Sequence, residues 1–239
     1  MTKHYPHPPR RRQAFTLIEM LVVIAIIAIL AGILLPVLAY AKTKAKIAQA
    51  KMEMTNLEGA IKAYESEYSR PPGFKGAEQA SNPGSPYYPD FTYGSDNVTS
   101  YGGAPVINGS GTETNNSVLM QILLNRDTGF NAGFTRNTRK LPLFTAKETD
   151  STTRGGLGPD LVFRDPWGNP YIITIDMNDD NKACDGFYRT VGGAGFTGSP
   201  GALELSRSIM IWSLGPDGAA NSGVGPKAGA NKDNILSWE

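Results

Sequence analysis

The sequence contains little histidine and almost no cysteine. Of its 239 residues, two are histidines, His4 and His7, and one is a cysteine, Cys184. If the N-terminus is removed, no imidazole is left to act as a general base, to bind zinc or to activate a serine or cysteine nucleophile. A single thiol forms neither an internal disulfide nor a tetrahedral cysteine metal site. Enzymes that use only carboxylates, lysine, serine or tyrosine are still allowed.

An excess of charge of one sign is also missing. The 23 Lys and Arg residues nearly balance the 22 Asp and Glu residues, which gives a formal net charge of +1. Because nucleic-acid-binding domains usually have a basic excess, we expect no nucleic acid partner. The length fits one membrane or targeting segment followed by one domain.

The N-terminal part combines a basic leader with a long uncharged run. Residues 1–14 contain four basic residues, no acidic residue and three prolines, so no helix is expected there. Residues 20–41 form an uncharged run of 22 residues, mainly Leu, Ile, Val and Ala. As a helix, this run would be roughly 33 Å long, which matches a hydrocarbon core of about 30 Å.

Three interpretations fit such an N-terminus. Residues 39–41 (Ala-Tyr-Ala) suggest a signal peptide cleaved before Lys42, although the run exceeds the roughly 7 to 15 apolar residues of a signal peptide. A plain signal anchor is the second interpretation. Glu19 favours a third, because an acidic side chain at the edge of a membrane segment usually has a function and a partner. We expect that partner to be a new α-amino group, made by cutting before Phe15 on this or a neighbouring molecule.

The residues around Glu19 also resemble a known family motif. Type IV pilins and type II secretion pseudopilins begin with a motif similar to residues 10–21, which read Arg-Arg-Arg-Gln-Ala-Phe-Thr-Leu-Ile-Glu-Met-Leu. The resemblance implies that a prepilin peptidase cuts between Ala14 and Phe15 and methylates the new terminus. It also implies that Phe15, Glu19 and Pro36 serve filament assembly. Ala14 departs from the family, which usually has glycine before the cut.

The helical pattern continues beyond the uncharged run. Residues 42–46 contain three lysines that mark a polar boundary, and an apolar stripe at helical spacing follows. Its members are Ile47, Met54, Leu57, Ile61, Tyr64 and Tyr68. The stripe predicts a helix face that packs on the following domain. Two prolines at positions 71 and 72 predict that the helix ends near Ser69 or Arg70.

We therefore predict four segments. They are a leader at 1–14, a transmembrane or filament-core helix at 15–41, an amphipathic continuation at 42–70 and a globular domain at 71–239. This domain is rich in glycine and proline and includes a polar insertion at about 73–116, which indicates many turns and short strands. The predicted fold is α+β and pilin-like, with a long N-terminal helix packed on a small antiparallel β-sheet with long loops.

Local patterns in the globular domain predict one further helix and several strands. The helix is expected to reach from Ser117, as its cap, to Arg126. The strand candidates are apolar runs between turn-rich segments. They are residues 161–163, 171–175, 187–191 and 209–212.

Two segments sharpen the resemblance. Residues 165–171 (Asp-Pro-Trp-Gly-Asn-Pro-Tyr) predict a structural turn before a strand, and they are similar to the segment that precedes the sheet in the major pseudopilin of type II secretion. Residues 212–238 are similar to the calcium-binding loop of the same pseudopilin. This resemblance implies that Asp217 and Asp233 bind calcium through carboxylates and Leu214 through its carbonyl.

The calcium assignment has an alternative. Residues 219–231 contain no acid, and Lys227 and Lys232 bring positive charge close, so the segment also fits a loop pinned by Trp238 without a metal. A second acidic cluster at 176–186 superficially resembles a calcium loop, but Asn181 stands where that motif needs glycine and Phe187 where it needs glutamate, so the cluster predicts a polar hairpin connection.

From these features we expect a structural subunit and not an enzyme. It would be a precursor in the bacterial inner membrane, with its C-terminal domain in the periplasm, that polymerises into a type II secretion pseudopilus. Expected partners are related subunits, prepilin peptidase, the secretion assembly platform and membrane lipid, and the expected cofactor is at most structural calcium. A type IV pilus subunit for adhesion, motility or DNA uptake is the first alternative. A secreted or signal-anchored binding protein or enzyme of the envelope is the second.

Overall fold

The computed structural model describes most of the chain after the leader. The described residues are 16–73, 90–94, 115–199 and 202–239. The predicted cleavage position between Ala14 and Phe15 and most of the insertion at 73–116 lie outside them. Two compact units are distinguished, Met1–Ala45 and Lys46–Glu239.

The first unit contains the beginning of helix α1 (Leu17–Tyr68). Among the described helices, α1 is long and apolar enough to cross a membrane, and none of the side chains in its most apolar part is buried. Pro36 lies inside the helix. Because proline has no N–H group, the carbonyl of Gly32 loses its usual helical partner. An exposed apolar surface of this extent needs lipid or other helices around it.

In the second unit α1 continues as an amphipathic helix. Met54, Leu57, Ile61 and Tyr64 are buried in the main core, and Ile47 and Tyr68 pack at its margin, as the apolar stripe predicted. The helix ends at Tyr68, where Ser69 adopts a positive φ of 52°.

Short elements complete the second unit within the described residues. The α-helices are α2 (Ser117–Leu123) and α3 (Tyr188–Val191), and short 3₁₀ helices cover Gly129–Phe134, Gly215–Asp217 and Gly229–Asp233. The strands are β1 (Phe91–Tyr93), β2 (Gly156–Leu157), β3 (Phe163–Arg164), β4 (Ile172–Ile175), β5 (Phe196–Ser199), β6 (Ala202–Leu205), β7 (Ile209–Ser213) and β8 (Ile235–Leu236). One antiparallel sheet has the order β1-β4-β7-β8, and β2 with β3 and β5 with β6 form two-stranded sheets. The predicted α+β layout is confirmed.

Both faces of the four-stranded sheet are buried. On one face, Ile173 and Ile211 belong to the core that includes helix α1. On the other face, Ile172 and Trp212 belong to a second core that contains Tyr188 of α3. Successive strand residues point to opposite faces, so a strand covered on both sides reads as an unbroken apolar run. For this reason the apolar runs at 171–175 and 209–212 predicted the strands β4 and β7.

The predicted strand at 187–191 is wrong, because this segment forms helix α3. The buried carboxylate of Asp185 accepts the N–H groups of Phe187 and Tyr188 at 2.9 and 2.8 Å, which favours a helical turn. Gly192, with φ of 72°, ends it. The strand predicted at 161–163 is displaced to β3.

The predicted helix from Ser117 is shorter than expected and has a different cap. Helix α2 ends at Leu123, and Asn116 occupies the position before its first residue. The Asn116 side chain is buried and donates to the carbonyls of Phe163 and Tyr171, each at 2.8 Å. Asn116 therefore joins the start of α2 to β3 and to the residue before β4.

Asp90 ties the start of β1 to the loop after β4. Its carboxylate accepts the N–H of Met177 at 3.1 Å and the N–H of Cys184 at 2.6 Å. Burial raises the pKa of Asp90 to about 8, against the opposing effect of the two N–H donors. The Cys184 thiol is itself buried.

Glu65 of helix α1 faces the same loop. Burial, together with the charges of Asp176 and Asp179, raises the pKa of Glu65 to about 7, and Lys62 acts in the opposite direction. In the folded chain both Glu65 and Asp90 therefore hold protons at pH values where the unfolded chain has released them.

We expect the full chain in detergent to lose stability as the pH rises from about 4 to about 8, since the folded state then binds more protons than the unfolded state. Asp90→Asn removes one titrating group, so the slope of unfolding free energy against pH should decrease by about one proton. Urea unfolding at a series of pH values measures this slope. Asp150→Asn, at an exposed carboxylate, should leave the slope unchanged. An unchanged slope in the Asp90 variant would contradict the assignment.

Candidate functional site

The residues at the start of helix α1 form a reciprocal cap. The N–H and the hydroxyl of Thr16 both donate to Oε2 of Glu19, at 2.8 and 2.7 Å. The N–H of Glu19 donates back to Oγ1 of Thr16 at 3.3 Å. This is a capping box, in which a threonine and a glutamate three residues later satisfy the first backbone groups of a helix.

The cap uses only one of the two oxygens of the Glu19 carboxylate. Both Thr16 donors use Oε2, and among the described residues no basic side chain pairs with Glu19. Oε1 is therefore available to a further donor, such as an amine. The amine expected at Phe15 lies outside the described residues. Thr16 was missed in the sequence, although the Thr-x-x-Glu spacing is the signal that could have revealed it.

The turn at 165–171 is organised by one buried carboxylate. Oδ1 of Asp165 accepts the N–H groups of Trp167 and Asn169, both at 2.9 Å. Oδ2 accepts the hydroxyl of Ser213 at 2.5 Å. Burial raises the pKa of Asp165, while these donors lower it. Gly168 has φ of 101°, where a Cβ would overlap a neighbouring carbonyl oxygen. The turn before β4 is therefore tight, as its prolines and glycine predicted.

The same turn contacts helix α1 within the second unit. The ammonium group of Lys46 lies 5.5 Å from the ring centroid of Trp167. The buried hydroxyl of Tyr171 donates to Oε2 of Glu53 at 2.6 Å. A cation over an aromatic ring and a hydrogen bond to a carboxylate both stabilise such contacts. The turn thus fixes this part of the helix to the sheet.

The turn also holds the C-terminal loop. The side-chain amide of Asn169 donates to the carbonyl of Gly215 at 2.8 Å. Asp165 binds Ser213, the last residue of β7, as described above. The two segments that the sequence analysis singled out, 165–171 and 212–238, are therefore in direct contact.

Asp217 and Asp233 approach each other in this loop. The N–H of Asp217 donates to Oδ2 of Asp233 at 3.3 Å. Gly215 has φ of 68°, and a Cβ there would overlap the carbonyl oxygen of Asp233. Oδ1 of Asp233 is buried and has no hydrogen-bond partner among the described residues. Burial and the nearby charge of Asp217 raise the pKa of Asp233.

These features fit a cation. Calcium prefers carboxylate and carbonyl oxygens, and a buried carboxylate oxygen without a donor is suited to it. Leu214 is buried directly before Gly215, and Lys227 pairs with Glu239. Across the described ranges no three Asp, Glu, His or Cys side chains converge, so carbonyl oxygens or water would have to complete the coordination.

The contacts of Trp238 agree with the alternative in which this residue, and not a metal, holds the C-terminal loop. Its ring lies edge-on to Tyr188, with 5.2 Å between the centroids, and 6.3 Å from Phe196. These aromatic contacts fix the end of the chain on the second core.

The second acidic cluster forms a polar connection from β4 to α3. The Asp176 carboxylate accepts the N–H groups of Asn178, Asp179 and Asn181 at 3.1, 2.8 and 2.8 Å. Asn181 has φ of 61°. The segment does not join two strands of a hairpin, because the expected second strand is a helix.

Comparison with known protein families gives a match at the N-terminus. A family model described as the prokaryotic N-terminal methylation motif matches residues 9–35. No curated protein and no solved structure matches the chain. The match supports a prepilin-type protein, either a type IV pilin-like subunit or a pseudopilin. The motif implies processing by prepilin peptidase and polymerisation into filaments, and together with the apolar helix it fits a membrane-anchored protein with a C-terminal domain.

Proposed function

We propose that the chain is a structural subunit of a type II secretion pseudopilus. Prepilin peptidase cuts it before Phe15, and the subunit polymerises through its hydrophobic helix to drive protein export. The observation that carries this proposal is a methylation motif at 9–35 that runs into a helix whose most apolar part has no buried side chain. The role is mechanical, and the globular second unit forms the outer part of the filament.

The apolar surface alone does not explain assembly. In water, burial of each Leu or Ile side chain stabilises by about 1.5 to 3 kcal/mol, which keeps the helix out of solvent. Lipid tails are as apolar as these side chains, however, so hydrophobicity does not distinguish lipid from a neighbouring helix. A polar interaction has to select the filament over the membrane.

Glu19 supplies that interaction in the proposal. Cutting before Phe15 removes every basic side chain on the N-terminal side of the uncharged run and creates one α-amino group. Oε1 of Glu19, which Thr16 does not use, accepts a hydrogen bond from the α-amino group of an adjacent subunit. In an apolar surrounding the pair is stronger than in water, and it sets the register between neighbouring helices.

A type IV pilus subunit is the nearest alternative, because it would share the N-terminal motif and the helix. Two features favour secretion. The turn at 165–171 is similar to that of the major secretion pseudopilin, and the single Cys184 cannot form the disulfide common in the C-terminal regions of fibre-forming pilins. Deletion of the gene separates the two, since the proposal requires loss of exported proteins and the alternative requires loss of surface fibres or twitching.

We also propose that Asp217 and Asp233 bind structural calcium, together with the carbonyl of Leu214. The support is the buried oxygen of Asp233 without a donor and the close approach of the two loop segments at Gly215. When bound, calcium would neutralise the two carboxylates and hold the C-terminal loop against the turn at 165–171.

Glu19→Ala should block filament growth and leave cleavage intact. The Glu19 variant leaves the Phe15 amine of the adjacent subunit without a counter-charge in an apolar surrounding, so subunit addition should weaken strongly. Electron microscopy scores the filaments, and mass spectrometry of the mature N-terminus scores cleavage as N-methyl-Phe15. Glu148→Ala, at an exposed carboxylate, is the matched control. Normal filaments from the Glu19 variant would overturn the pairing, and a mature terminus at Lys42 would establish a signal peptide.

Calcium should raise the unfolding temperature of the full chain, and magnesium should do so much less. A ligand at about 100 times its dissociation constant stabilises by about 2.7 kcal/mol. Asp233→Asn and Asp217→Asn should each remove most of this gain, whereas Asp150→Asn should retain it. Thermal unfolding followed by circular dichroism measures the effect. Equal gains in the wild type and the Asp233 variant would contradict a site in this loop.

A further inference from the structure

Two lysines, Lys42 and Lys44, directly follow the uncharged run and have no acidic partner among the residues that the structure describes. Lys42 and Lys44 are exposed, and neither forms an ion pair among the described residues. The sequence has no acidic residue between Glu19 and Glu53. No carboxylate therefore lies within one helical turn of either lysine, where it could pair with the ammonium group.

The next lysines on the helix are different, because they contact the second unit to which they belong. Lys46 lies over the ring of Trp167, and Lys51 donates to the backbone oxygen of Glu239 at 3.0 Å. Lys42 and Lys44 have no acidic neighbour on their own stretch of helix, so a partner outside the chain would have to supply the anion.

Their position along the helix indicates what that partner is. If the uncharged run ends at the edge of the hydrocarbon core at Ala41, Lys42 and Lys44 follow within about 5 Å along the axis. The polar headgroup layer extends roughly 5 to 7 Å beyond the core on each side. Lys44 lies over Tyr40, at 5.4 Å from its ring centroid, and tyrosine is enriched at this membrane level. Both ammonium groups therefore fall in the phosphate layer.

The two lysines also point to different sides of the helix. Residues two apart are separated by about 200° around the axis, so one phosphate group cannot serve both side chains. Each ammonium group needs an anion of its own, and a layer of lipid phosphates around the helix provides one in every direction. A protein partner would have to surround the helix to do the same.

We propose that Lys42 and Lys44 bind the phosphate groups of anionic phospholipids such as phosphatidylglycerol. The contacts are charge-assisted hydrogen bonds from the ammonium groups to phosphate oxygens. They hold the unassembled subunit at a fixed depth, and its extraction into a filament has to break them. The inference rests on the proposed membrane insertion of α1.

The test uses the full chain, one copy per nanodisc, in phosphatidylcholine that contains a minor share of phosphatidylglycerol. Native mass spectrometry measures how strongly phosphatidylglycerol is retained over phosphatidylcholine. A lysine near an anionic surface contributes about fivefold to binding, so K42Q/K44Q should reduce the preference by about 25-fold. K147Q/K232Q removes the same charge from exposed positions in the second unit and should leave the preference unchanged. The basic leader is present in all three proteins, so its contribution cancels.

Each outcome decides between the lipid and other partners. Equal lipid preference in the wild type and K42Q/K44Q overturns the inference. If K42Q/K44Q changes only the association of two copies in one disc, the partner is an acidic surface of a second copy and not lipid. A chain that fails to enter nanodiscs contradicts the proposed membrane insertion itself, which distinguishes that failure from a failure of the lysine contacts.

Discussion

An apolar helix surface without a partner in its own chain constrains the rest of the molecule. The large apolar side chains between Met20 and Tyr40 are exposed, and each Å² of apolar surface left in water costs about 25 cal/mol. The segment therefore has to remain in lipid or among other helices. Polar chemistry is confined to its two ends, where Thr16 and Glu19 form a cap at one end and lysines begin at the other. In the proposed filament subunit, the two ends would set register and depth, while the apolar part between them only needs an apolar surrounding.

The second unit depends on a few buried carboxylates that link distant segments. Asp165 joins the turn before β4 to the end of β7, and Asp90 joins β1 to the loop after β4. Asp185 accepts a hydrogen bond from the hydroxyl of Thr174 at 2.6 Å and another from the indole of Trp212 at 3.0 Å. A buried carboxylate is tolerated when donors surround it, and such networks favour one arrangement of short strands. They compensate for a sheet whose strands are only two to five residues long.

Features with a local or periodic signal could be predicted from the sequence. Burial of one face gives helix α1 apolar residues at helical spacing, so the helix and its buried stripe could be predicted. Burial of both faces gives β4 and β7 continuous apolar runs, so these strands could be predicted too. Helix α3 was missed because Phe187–Val191 is rich in β-forming residues, and the cap from Asp185 overrides that preference. Contacts such as Asn169 with Gly215 depend on how segments far apart in the chain meet, which no local pattern encodes. Among the site residues, Glu19 could be singled out from the sequence because it is an acid beside a long uncharged run. The buried Oδ1 of Asp233 without a hydrogen-bond partner could not be predicted.

The buried Cys184 has a consequence for experimental chemistry. It is the only thiol in the sequence, and burial together with the nearby charge of Asp90 raises its pKa to about 12. The thiolate is the form that reacts with oxidants and maleimides, so this cysteine is inert while the domain is folded. A cysteine introduced on the surface would then be the single reactive one. Pairs of such substitutions would report subunit contacts by disulfide crosslinking in living cells, without first removing a native thiol.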